Sequence, residues 1–170
     1  KHGVTGSCHQ LFIDGERSVL IDCGLFQGAE TAPDGSAGAD RLDIPFAVKD
    51  IGALVLTHVH IDHCGRLPWL LAAGFKGPIF CSEPSARLLP TVLADAFQIS
   101  VTRDRVLVER YLQMVEARLR PLPYRHWHTL YRSADATCRV RLQRAGHILG
   151  SVYVEFELSG KAWPQRRRVL

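Results

Sequence analysis

No apolar stretch in this sequence approaches the roughly 20 residues that a membrane-spanning helix requires, and no basic, apolar, small-residue leader opens it. Both absences point to a cytoplasmic protein with no membrane partner. Paired cysteines are also missing. Cys8, Cys23, Cys64, Cys81 and Cys138 are odd in number and scattered, without zinc-ribbon or redox spacing. Free thiols in a reducing compartment are therefore expected, not a disulfide framework. There is no internal repeat and no low-complexity tract. Lysine is scarce, since 17 of the 21 basic residues are Arg.

What is present is ordinary globular material. With 46% apolar and 22% charged residues, disorder is excluded. A chain of 170 residues is one domain's worth and can bury about 70% of its unfolded surface. The formal net charge is +4, and ten arginines lie between Arg103 and Arg144. Arg suits bidentate phosphate contacts, which fits a polyanionic substrate. A solvated helical face with its own acidic partners explains the same arginines equally well, and both readings stand.

The most concentrated chemistry is His58-Val59-His60-Ile61-Asp62-His63, three imidazoles and a carboxylate within six positions. It follows the apolar run Ala53, Leu54, Val55, Leu56, which reads as a buried strand. A strand tip that packs such groups into a short loop offers nitrogen and oxygen ligands to a metal, and zinc accepts this set. In an extended loop His58 and His60 point to one side and close on one ion. Asp62 and His63 follow as the chain turns into a helix and address a neighbouring position. The spacing suits two adjacent metals better than one.

The flanking pattern is mixed α and β. Cys8 to Ile13 and Ser18 to Ile21 read as strands joined by a tight turn at Asp14-Gly15. Residues 24–45, with several glycines and Pro33, form a long loop. The strand at Ala53–Thr57 delivers the histidine loop, and a short helix bearing Leu67, Trp69, Leu70 and Leu71 stops at Gly74. A strand at Ile79–Cys81 leads to Ser82, a natural N-cap for a helix to about Ile99. Pro90 conflicts with that helix and should kink it. A second helix from about Arg103 to Leu119 carries Leu107, Val108, Tyr111, Leu112, Val115 and Leu119 on one core-facing stripe. Strands near Cys138–Gln143 and Val152–Leu158 follow, the latter alternating apolar and polar residues. The order predicts helices laid on a sheet.

Two further features bear on the site. Asp22 ends the second strand in Leu20-Ile21-Asp22-Cys23-Gly24, where it can hold a ligand histidine in its tautomer. An Asx turn entering the long loop is the alternative. His147, in Gly146-His147-Ile148-Leu149-Gly150-Ser151, lies between two predicted strands and would supply the third nitrogen for the ion held by His58 and His60. His2, His9, His126 and His128 lack such company and read as surface, strand or turn residues.

These features together resemble the metallo-β-lactamase fold and, within it, the β-CASP nucleases. The resemblance is carried by Val4-Thr5-Gly6-Ser7-Cys8-His9, Leu20 to Gly28, Thr57 to Arg66, and Gly146 to Ser151, and so spans residues 4–151. The histidine hexad is shared by many hydrolases of that fold. The Asp-Cys-Gly run and Gly-His-Ile-Leu-Gly-Ser are more selective. The resemblance implies an α/β (α+β) αββα four-layer sandwich with two zinc ions at the sheet edges, manganese or iron being acceptable substitutes. It implies that His58, His60 and His147 hold one ion, that Asp62 and His63 contribute to the second, and that Asp22 orients the ligand loop. Asp62 and Asp22 are the expected catalytic carboxylates. The implied activity is hydrolysis of RNA phosphodiester bonds.

The family's bridging Asp, last histidine and inserted β-CASP domain have no counterpart in residues 1–170. The expectation is an N-terminal portion of a metallo-β-lactamase domain, with its first strand before Lys1, the remainder after Leu170, and Arg166 to Leu170 opening a further strand. Such a portion could lack activity by itself. Two alternatives accompany the ribonuclease: a small-molecule hydrolase of the same fold, acting on a thioester or lactam, and a non-catalytic scaffold subunit.

Overall fold

The computed structural model describes residues 6–25, 44 and 46–170, so most of the loop expected over 24–45 lies outside the described residues. Nine strands and four helices are described. In chain order they are β1 (His9–Phe12), β2 (Ser18–Ile21), β3 (Ile51–Val55), α1 (Ile61–Cys64), α2 (Leu67–Ala72), β4 (Ile79–Ser82), α3 (Glu83–Ser100), α4 (Arg105–Glu116), β5 (Leu119–Leu122), β6 (His128–Arg132), β7 (Thr137–Arg144), β8 (Val152–Gly160) and β9 (Trp163–Val169).

Two sheets result. The first has the order β1-β2-β3-β4-β5, with β1 antiparallel to β2 and the others parallel. The second is the antiparallel meander β6-β7-β8-β9. The apolar run in β3 is continuous because both faces of that strand are covered. Leu54 joins Leu67, Leu70, Leu89, Leu93 and Val115 in the core beneath the helices. Ala53 and Val55 face the other way, against Val140, Leu142, Val154 and Phe156 of the second sheet. Period-2 alternation does the same for β7, where Cys138, Val140 and Leu142 are buried while Arg139 and Arg141 lie on the opposite face. There Arg139 meets the buried Glu157 at 3.2 Å. Helices, first sheet and second sheet are three of the four layers expected.

Several local expectations shift. The hairpin turns over residues 13–17, not two residues: Ile13 N donates to Arg17 O at 2.8 Å, and the Asp14 carboxylate accepts from the Glu16 and Arg17 amides at 2.9 and 2.8 Å. The side chain of Asp14 thus builds an Asx turn that replaces the tighter backbone one. β3 begins at Ile51, two residues early, paired with Ser18. α3 runs through Pro90 as one continuous helix. α4 starts at its Asp104 cap and ends at Glu116, so Leu119 belongs to β5 and not to the helical stripe. On that stripe Val108, Tyr111 and Val115 are buried, whereas Leu107 is 46% exposed. β5 escapes sequence reading because it contains Pro121. Proline is tolerated there because β5 is an edge strand.

Candidate metal centre

The site forms where the parallel strands β2 and β3 end, the usual place for a ligand in an α/β sheet. Asp22 follows β2 directly, with φ 59°. Asp tolerates this left-handed conformation better than most residues. Its side chain, 2% exposed, turns back under the histidine loop. Oδ1 accepts from the Thr57 amide at 2.8 Å. Oδ2 accepts from Ser7 Oγ at 3.0 Å, Thr57 Oγ1 at 2.9 Å and His63 Nδ1 at 2.7 Å. Four donors on two oxygens satisfy the buried carboxylate.

Those bonds set the tautomers of two rings. His63 donates through Nδ1, which leaves Nε2 with a lone pair, 3.6 Å from Asp62 Oδ2. The Thr57 hydroxyl spends its proton on Asp22, so it accepts from His58 Nδ1 at 3.0 Å. His58 Nε2 then carries the free lone pair, and it faces His60 Nδ1 at 3.2 Å. His147 Nε2 reaches the same His60 nitrogen at 3.1 Å, although 87 positions separate the two residues. Ring nitrogens of His58, His60 and His147 lie within 4.8 Å of one another.

Electrostatics separate the rings. Burial, reinforced by nearby His63 and His60, lowers the His58 pKa to about 4. His63 moves upward, mainly because Asp22 accepts its Nδ1 proton. At neutral pH His58 is therefore a neutral base, as a ligand must be.

Backbone contacts hold the loop in place. Ser7 N donates to Asp62 O at 2.7 Å, Cys23 N to His63 O at 2.7 Å and Leu25 N to Ile61 O at 2.9 Å. Arg66, nearly buried, directs Nε to Gly24 O at 2.8 Å. Gly24 is forced, since a Cβ there would collide with the Asp62 carbonyl and lie 2.7 Å from His63 N. The third histidine arrives because Val152 N, at the start of β8, donates to Thr57 O at 2.9 Å and docks the second sheet onto the end of β3.

All six residues singled out in the sequence therefore meet at one place. His58, His60 and His147 form one group, Asp62 and His63 an adjacent pair, and Asp22 lies beneath both. His126 and His128 lie outside the three-histidine group, and His9 lines the neighbouring cleft. The cleft, about 630 Å³, is also lined by Ser7, Gln10, Leu11 and Phe156. Sequence reasoning assigned no role to Thr57, Ser7 or Gly24. Adjacency to His58 at a strand end was a signal for Thr57. For Ser7 the signal was its place in the Val4–His9 stretch that shares in the family resemblance.

The donor set fits a metal ion. Three imidazole nitrogens that converge on one point can each offer a lone pair to a cation placed between them. A tetrahedral ion with ligand bonds of about 2.0–2.1 Å needs its donors about 3.3 Å apart; the two pairs that share His60 lie at 3.1 and 3.2 Å, and all three nitrogens within 4.8 Å.

Residues 3–161 match the family model described as the metallo-beta-lactamase superfamily. The chain is 35% identical over 158 residues to a protein named Ribonuclease TTHA0252 from Thermus thermophilus, covering 93% of this chain and 33% of that one. It is 31% identical over 158 residues to Transcription termination factor FttA of Cenarchaeum symbiosum, covering 92% and 24%. An Integrator complex subunit 11 homolog of Dictyostelium discoideum is 28% identical over 141 residues, covering 81% and 18%. The chain spans about a third or less of the length of these relatives. Among solved structures, MEM-A1, a subclass B3 metallo-beta-lactamase from a soil metagenome, superposes with TM-score 0.52 at 17% identity, covering 98% of this chain and 56% of that one. At that identity the likeness concerns the fold alone.

Proposed function

The chain belongs to the metallo-β-lactamase superfamily, and on that footing we propose that it is the N-terminal part of a β-CASP-type, zinc-dependent ribonuclease. The observation that carries this is the convergence of His58, His60 and His147 beside the Asp62–His63 pair. The names of the relatives, a ribonuclease among them, favour RNA over a lactam or thioester. Among the described residues no helix is long and apolar enough to cross a membrane.

In this proposal His58 Nε2, His60 Nδ1 and His147 Nε2 would hold one ion, and Asp62 with His63 Nε2 would hold a second. Such ions would supply a lowered pKa for bound water and offset the charge growing on the phosphoryl oxygens. Asp62 accepts a hydrogen bond from the attacking water and orients it toward phosphorus. Asp22 keeps the proton of His63 on Nδ1, and Thr57 keeps that of His58 on Nδ1, so neither ring turns its N–H toward the ligand side. The remaining ligands and the clamp over the RNA are assigned to parts of the full-length protein outside residues 1–170.

The test pairs metal analysis of the full-length protein with digestion assays on single-stranded RNA and on a thioester. RNA cleavage that stops on chelation and returns with zinc is expected. Thioester turnover without RNA cleavage would overturn the ribonuclease assignment, and failure to bind any divalent ion would overturn the metal centre.

A further inference from the structure

His147 stands on a loop whose far end is held by two buried hydroxyls from another element. Ser82, the last residue of β4, caps α3 by accepting the Ser85 amide at 3.3 Å. Its own Oγ proton goes to the Gly150 carbonyl at 2.7 Å, and Ser85 Oγ donates to the same oxygen at 3.1 Å. Both serines are 0% exposed. N-capping requires only an acceptor at Ser82. It does not explain why a second hydroxyl, one turn into the helix, meets the same carbonyl.

Gly150 is shaped for this contact. Its φ is +89°, and a Cβ there would stand 2.5 Å from Ser85 Oγ and 2.8 Å from Ser85 N. Between Gly150 and His147 the loop closes on itself. Ile148 N donates to Ser151 Oγ and Ser151 N to Ile148 O, each at 3.0 Å. His147 is itself exposed, and its ring meets those of His58 and His60 edge to face, with centroids 4.9 Å apart in each case. The carbonyl of Gly150 is where this loop is tied to α3.

We infer that Ser82 and Ser85 are positioning residues for His147, clamping its loop through the Gly150 carbonyl so that Nε2 stays in reach of the His60 ring. The inference rests on the metal-centre proposal above for its functional meaning, and on the hydrogen bonds for its structural content. Groups that orient a ligand in this indirect way change metal affinity by about 10- to 100-fold when lost.

The test uses full-length protein carrying Ser85→Ala, which leaves the cap acceptor on Ser82, together with Ser82→Ala/Ser85→Ala, His147→Ala and the triple variant. Zinc affinity is read by competition with a chromogenic chelator. The double variant is expected to bind zinc at least about tenfold more weakly, with Ser85→Ala between it and wild type. The triple variant should bind no more weakly than His147→Ala, because serines that act through His147 have nothing left to act on. Additive losses, or a double variant with wild-type affinity, would overturn the inference.

Amide exchange on the metal-free protein gives a second reading. Ser85→Ala should speed exchange at Ile148 and Ser151 while Leu54 and Leu56 in and beside β3 stay protected. Unchanged exchange in the loop sinks the clamp whether or not zinc binds. A wild-type protein that binds no zinc, yet shows the faster loop exchange in the variant, would sink the metal centre and leave the clamp standing.

Discussion

Gly24 lies so close beneath Asp62 that a methyl group on its α-carbon would overlap the Asp62 carbonyl. The segment after β2 and the turn carrying Asp62 and His63 are thus packed backbone to backbone, and a side chain at position 24 would displace both residues together.

Gly24→Ala is accordingly expected to destabilise by about 3 kcal/mol or more, the upper end for overpacking, because the obstructing atoms are main chain and cannot rotate away. Gly15→Ala is the control. A Cβ at Gly15 meets nothing within 4 Å, so its effect should stay within about 0.5 kcal/mol. Urea midpoints of the two variants check both values, and equal midpoints would contradict the packing described.

Asp22→Asn preserves size and tolerates the left-handed backbone, yet it replaces one acceptor oxygen with a donor. Thr57, Ser7 and His63 supply four hydrogen bonds to that carboxylate. The hydroxyls can rotate, but His63 must move its proton to Nε2 to accept from the new amide. We expect a loss of about 2–3 kcal/mol from the broken charge-assisted bonds. Nitrogen NMR of His63 should show the switched tautomer, and an unchanged spectrum would remove Asp22 from this role.

Asp62→Ala should behave in the opposite way. Its side chain is partly exposed and, among the described residues, its ion-pair contact is with His63, at 3.6 Å. Loss of a first-turn acid costs α1 only a few tenths of a kcal/mol. Unfolding should therefore shift by less than about 1 kcal/mol, while RNA hydrolysis by the full-length protein falls by more than about a hundredfold, beyond what orienting residues cost. Parent-level hydrolysis in this variant would end the assignment of Asp62.

In metal-free protein the two flanking histidines should titrate on opposite sides of the ordinary imidazole value. His58 is depressed to about 4 by burial and neighbouring rings, and His63 is raised by Asp22. For His58 the unfolded chain takes up the proton first, so its stabilising share is present above pH about 6.5 and is lost as pH falls toward 4. The share of His63 has the reverse sign: it is full below pH about 6.5 and fades as pH rises through the elevated folded value. Proton NMR titration of the two rings checks the order, and coincident midpoints would refute it.

Much of the architecture could be read because it is written in local periodicity. The continuous apolar run of β3, the alternation in β7 and β8, the Ser82 cap and the Gly74 stop each reflect residues within one or two turns of one another. Elements whose form depends on neighbours were missed or misplaced. β5 holds Pro121 only because it lies at an edge, and Leu119 is a strand residue because β4 pairs with it at Ile79. Leu107 sits on the apolar stripe by period yet remains exposed, since the stripe is wider than the surface α4 covers.

By itself, the sequence determined the kind of chemistry: the spacing of His58, His60, Asp62 and His63 places four donor groups on one short turn however the rest of the chain folds. Only the tertiary structure decided the assembly of the centre. His147 joins it because β8 docks on Thr57, and Asp22 lies under it because parallel pairing sets Ile21 beside Val55. Which nitrogen of His58 and of His63 is free was decided there too, since a tautomer is set by the partner on the far side of the imidazole. For His58 that partner is Thr57, itself held by Asp22 from across the sheet.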